Sequence, residues 1–119
     1  MPWASFDDGI HGDPRVLDAG LAAAGLYLCV TSYMARYLTD GVIPAKAVRQ
    51  MLEDGDASPL DALLRTGLLV ESLGDDYEAP EFLKANRSRE QVEDERAKTA
   101  ERKRRWKEKK KREQGRGRG

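Results

Sequence analysis

SPLDALLRTGLLVESLGDDYEA, residues 58–79, changes its periodicity halfway through. The first half reads as a helix. Ser58 is a cap, Pro59 fits the first helical position, and Asp61 sits three residues after the cap. Leu60, Leu63 and Leu64 make one apolar face, and Gly67 is a stop. The second half reads as a β-hairpin: LLVES and EAPEFL are apolar-rich segments on either side of a Gly-Asp-Asp turn. Pro80 has no N–H to give to a ladder, so it is expected on the hairpin's open edge.

Upstream, three more helices are expected. DPRVLDAG (13–20) has Asp13 as its cap, Pro14 as its first residue and Gly20 at its end. A second helix runs from about Ala22 to Leu38, with Leu26, Val30, Tyr33, Met34 and Tyr37 on one stripe. Gly25 inside it costs about 1 kcal/mol against Ala, and close packing on a neighbouring helix would explain it. TDG closes the helix with Gly41 left-handed, Val42-Ile43 is a short extended piece, and Pro44 opens PAKAVRQMLE. There Ala47, Val48, Met51 and Leu52 should face inward. The expected core is Leu17, Leu26, Val30, Tyr33, Met34, Val48, Leu52, Leu60, Leu63, Leu64 and Leu69.

Charge divides the chain. There are 21 Lys plus Arg and 21 Asp plus Glu, yet residues 1–86 sum to −8 and residues 87–119 to +8. Beyond Asn86 only Val92, Ala97, Ala100 and Trp106 interrupt the polar run, so that part cannot bury enough to fold alone. A domain over 1–86, a charged helical arm over 87–114 and a disordered GRGRG tail over 115–119 are expected. Ser88 and Gln91 form a capping-box pair that can start a helix reaching Arg112. Pairs Arg89–Glu93, Asp94–Lys98, Glu101–Arg105 and Glu108–Arg112 would support it at i, i+4. No apolar heptad is present, which argues against a coiled coil.

The fold class that follows is mainly α with a small β-hairpin. Helix, helix, short strand, helix, turn, helix, hairpin is the order of a winged helix-turn-helix domain, here followed by a long charged C-terminal helix or arm. An all-helical bundle with a loop is the rival architecture.

Catalytic and metal chemistry find little to stand on. Cys29, the lone cysteine, fits a buried apolar thiol in a reducing, cytoplasmic setting. The single histidine, His11, lies in an acidic stretch and reads as a hydrogen-bonding residue near the first helix. Asp7-Asp8 and Asp75-Asp76 are poor metal clamps, because neighbours in an extended segment point to opposite faces. Neither an enzyme nor a cofactor is expected. The start is acidic without an apolar leader, and the longest apolar run, LAAAGLYLCV (21–30), is too short to span a bilayer, so no membrane partner is expected.

MPW (1–3), DDGIHGDPRVLDAG (7–20), AGLYL (24–28), LTDGVIPA (38–45), LLRTGLL (63–69) and SREQVEDER (88–96) are similar to a family of small proteins of actinomycete phages and related prophages. That family resembles the winged-helix N-terminal domain of DnaD-type replisome organisers. The resemblance implies a helix-turn-helix or replication-initiation role in a bacterial host cell. Relatives often have a longer hairpin, sometimes with Cys or His residues, ending in a His-Asp-aromatic segment. Here EAPEFLKANRS (78–88) replaces it, so no metal site carries over.

Nucleic acid is the expected partner, duplex DNA first. Arg102, Lys103, Arg104, Arg105, Lys107, Lys109, Lys110, Lys111 and Arg112 put nine cations into eleven residues. Such a segment attracts polyphosphate by counterion release without reading sequence. On a helix these charges would surround the axis. Trp106, inside the run, can stack on a base, insert between base steps or touch the domain. In the helix-turn-helix, Lys46, Arg49, Ser58 and Arg65 are the candidate contacts, too few for a base-reading surface. Opposite charges in the two parts also suggest salt-sensitive self-association. The alternative function is a protein-protein adaptor, whose winged helix binds a replication or transcription protein and whose arm docks an acidic partner.

Overall fold

The computed structural model describes residues 3–116. These fall into two units divided after Ser88. The first holds α1 (Pro14–Ala19), α2 (Leu21–Tyr37), β1 (Val42–Pro44), α3 (Ala45–Met51), α4 (Ser58–Thr66), β2 (Val70–Glu71), β3 (Asp76–Glu78) and α5 (Phe82–Ala85). The second is one long helix, α6 (Arg89–Arg116). The chain is thus mainly helical, with a small three-stranded antiparallel sheet and a long C-terminal helix.

Local chemistry sets most boundaries. The Asp13 carboxylate accepts from the Arg15 N–H at 2.9 Å and caps α1, with Pro14 in the first turn. α2 ends at Leu38, whose backbone is left-handed at φ 54°, three residues before the glycine expected to close it. Gly41 has positive φ as well, and an added Cβ there would lie 3.3 Å from both the Ala79 carbonyl oxygen and the Phe82 Cβ. Ser58 is not the cap of α4 but its first residue. Ala57 is the N-cap, and the preceding Asp56 accepts from the Ser58 N–H at 2.9 Å and from its hydroxyl at 2.6 Å. These bonds hold the Asp56 carboxyl below the usual carboxylate range. Gly67, at φ 80°, ends α4 as expected.

The sheet differs from a lone hairpin. β3 is its central strand, pairing β2 through Glu71↔Tyr77 and β1 through Ile43↔Tyr77. With both edges of β3 taken, Pro80 has no open edge to occupy. It follows the strand, and the EFL segment expected to extend is instead the short helix α5, which buries Phe82.

The core is built from α2, α3, α4, the sheet and α5. Val30, Met34, Ile43, Val48, Leu63 and Leu69 are its fully buried large side chains. Leu26 and Leu60 are buried with them, while Tyr33, Leu52 and Leu64 are only partly so. Tyr37 leaves the core, and its ring packs against Tyr33 with centroids 4.6 Å apart. The inward stripe of α2 is Ala23, Leu26, Tyr27, Val30 and Met34, shifted from the one expected. Leu17 is 66% exposed: α1 turns Val16 and Ala19 inward instead.

Two further expectations fail for the same reason, a face of α2 that nothing in the first unit covers. Cys29 is exposed. Gly25 has open space around its Cα, so no helix packs there. Gly25→Ala is therefore expected to stabilise the fold by about 0.5–1 kcal/mol through helix propensity alone, measured as a higher urea midpoint.

Residues 5–10 pack against this core, with Phe6 and Tyr27 at a centroid distance of 6.1 Å. The Asn86 side chain fastens the segment. Its Oδ1 accepts from the Ser5 N–H at 2.7 Å, and its Nδ2 donates to the Ser5 carbonyl at 2.9 Å and the Phe82 carbonyl at 3.1 Å. His11 has the structural role expected, its Nδ1 3.1 Å from the Asp8 carbonyl oxygen.

Candidate nucleic-acid interface

α6 forms because its sequence favours it locally. Residues 89–113 are mostly strong helix formers, and oppositely charged neighbours recur one turn apart. Ion pairs join Arg89 to Glu93 at 3.0 Å, Lys98 to Asp94 at 3.1 Å and Arg105 to Glu101 at 2.6 Å. Glu108 and Arg112 do not pair. The helix spans 28 residues, about 42 Å at 1.5 Å per residue. It continues through Gly115 and Arg116, which were expected in the disordered tail; the rest of that tail, residues 117–119, lies outside the described residues.

All nine cations from Arg102 to Arg112 are exposed on this rod. Arg105 is held by Glu101, and Arg102 donates to the Thr99 hydroxyl at 3.4 Å. Trp106 is 61% exposed, with the Lys110 ammonium 4.9 Å from its ring centroid.

The candidate helix-turn-helix contacts are placed differently. Lys46 and Arg49 are exposed on α3. Ser58 is committed to Asp56, and the Arg65 guanidinium turns back to Asp18, 3.5 Å from its carboxylate and 3.3 Å from its carbonyl. The hairpin tip adds Asp75, and Asp76 begins the central strand.

The first unit also has a cleft of about 650 Å³, lined by Phe6, Ile10, Arg15, Tyr27, Glu81 and neighbouring residues. Its charges satisfy one another. Arg15 pairs with Asp13 at 2.9 Å and with Glu81 at 3.3 Å, and Lys84 pairs with Glu81 at 3.0 Å. The hydrogen bond from Arg15 holds the Asp13 carboxyl below its ordinary range, and the one from Lys84 does the same for Glu81. The Arg15 guanidinium is held more firmly protonated by Asp13, and burial pushes the Tyr27 hydroxyl up. No uncommitted cation among these groups remains to hold an anionic ligand. Sequence reasoning missed this network because Arg15 and Glu81 lie far apart in the chain.

Among the described residues no cluster of His, Cys, Asp and Glu is arranged to hold a metal ion, and no helix is long and apolar enough to cross a membrane. No family model matches the chain, and no curated protein or solved structure matches it significantly.

Proposed function

We propose that this is a non-enzymatic accessory DNA-binding protein whose α6 supplies phosphate contacts. The observation that carries the reading is the run of nine exposed cations from Arg102 to Arg112 on one continuous helix, with an exposed tryptophan among them. The element order α1-α2-β1-α3-α4-β2-β3 supports reading the first unit as a winged helix, with α3 and α4 as the helix-turn-helix and β2–β3 as the wing. Its charge of −8 over residues 1–86 supports a role in protein contacts rather than in base reading. Replication initiation or transcription control in a bacterial cytoplasm is the process the sequence resemblance suggests. Salt-sensitive self-association, through attraction between the acidic and basic units, belongs to the same proposal.

A second reading has its own support. α1 and α2 leave Leu17, Leu21 and Leu28 exposed, which suits an adaptor that binds another protein. Gel-shift titration of the full chain against duplex DNA of several unrelated sequences separates the two. Micromolar or tighter binding at moderate salt, alike for all sequences, is the expected result. No binding even at low salt would leave only the adaptor.

A further inference from the structure

Between Arg96 and Arg112 the helix holds only two carboxylates, Glu101 and Glu108. They are seven residues apart, about two turns, and so lie on one line along α6. Glu90 and Asp94 fall on the same line nearer the start of the helix, since eighteen residues make about five turns. The opposite side of this stretch contains Arg96, Thr99, Lys103, Trp106 and Lys110, at steps of three and four residues, with Lys107 beside them, and has no carboxylate. The ion pairs reinforce the division. Lys98 and Arg105 are held by Asp94 and Glu101 and stay near the acidic line. The cations thus surround the axis as expected, with Arg104, Lys109, Lys111 and Arg112 on the flanks or on the acidic line, while the carboxylates of this stretch keep to one side and leave the other free of negative charge.

We propose that this acid-free side of α6, centred on Lys103, Trp106 and Lys110, is the surface that meets the phosphate backbone of duplex DNA, with the Glu101–Glu108 line turned to solvent. The inference rests on the DNA-binding reading and gives it a face. Counterion release rewards cations that approach phosphates, and carboxylates on the same side would oppose that approach. The indole lies on the same side, with Lys110 already against its ring, so stacking or wedging at a base step occurs where the phosphates are engaged.

Two full-length variants of equal charge test the face: Lys103→Gln with Lys110→Gln, and Arg105→Gln with Arg112→Gln. Gln, Lys and Arg have similar helix propensity, and far-UV circular dichroism checks that both rods persist. The first pair should weaken duplex binding about tenfold or more and lower the salt slope by about 2, whereas the second should change either value little. In a Trp3→Phe background Trp106 is the only tryptophan, and its emission should be quenched on binding. Equal losses in the two pairs, with Trp106 emission unchanged, would overturn the face while leaving DNA binding standing. Failure of the parent chain to bind duplex DNA at low salt would overturn the function itself.

Discussion

Leu63→Ala should destabilise the first unit by about 2–5 kcal/mol, the cost of a cavity in a core that cannot collapse around it. Leu63 is 0% exposed and lies in one cluster with Val30, Met34, Ile43 and Leu69. Its carbonyl also accepts from the Leu69 N–H at 3.2 Å, so it stands where α4 hands over to the sheet. A domain of this size has a total stability of only about 4–13 kcal/mol, so the loss is a large share of the whole. Urea denaturation should show a lower midpoint with an unchanged slope. Leu73→Ala is the control: Leu73 is 91% exposed at the hairpin, and its removal should move the midpoint by less than about 0.5 kcal/mol. A Leu63→Ala chain as stable as the parent would mean that α4 does not seat in this core.

Replacing Lys109, Lys110, Lys111 and Arg112 together with Ala should weaken DNA binding for every sequence alike. If about six of the nine cations neutralise phosphates, log K falls against log salt with a slope near −5. Removing four cations should bring that slope to near −3 and cost roughly a hundredfold in affinity at moderate salt. Ala keeps the helix, so the loss reports charge rather than unfolding. Replacing Arg65 should do little, because it is an isolated cation in an acidic unit. A quadruple variant with the parent's slope would assign the phosphate contacts elsewhere and leave the cationic run as a solubilising surface.

Features set within four residues of one another were readable in the chain itself. Asp13 with Pro14, Gly67, and three of the four expected i, i+4 pairs on α6 are of this kind. Features set by distant partners were not. Gly25, Leu17 and Cys29 were placed inward because apolar or small residues on a helix suggest packing, but periodicity does not say which neighbours exist to cover a face. The EFL segment has strand-like composition, yet β1 and β2 already occupy both edges of β3, and Phe82 reaches the core from a helical turn instead. The partner that Arg65 finds, Asp18, also lies well upstream. For the candidate interface, the number of charges was legible in composition, while the carboxylate-free side needed the continuous register of α6.

The central place of β3 has a kinetic consequence. Its pairing with β2 closes a tight local loop, which small hairpins do within microseconds. Its pairing with β1 joins Ile43 to Tyr77, roughly thirty residues apart, and the intervening chain must first wind α3 and α4. Loop-closure entropy therefore opposes the outer edge of the sheet until the helices have already docked. The β1–β3 pairing is then expected late in folding, after the β2–β3 hairpin.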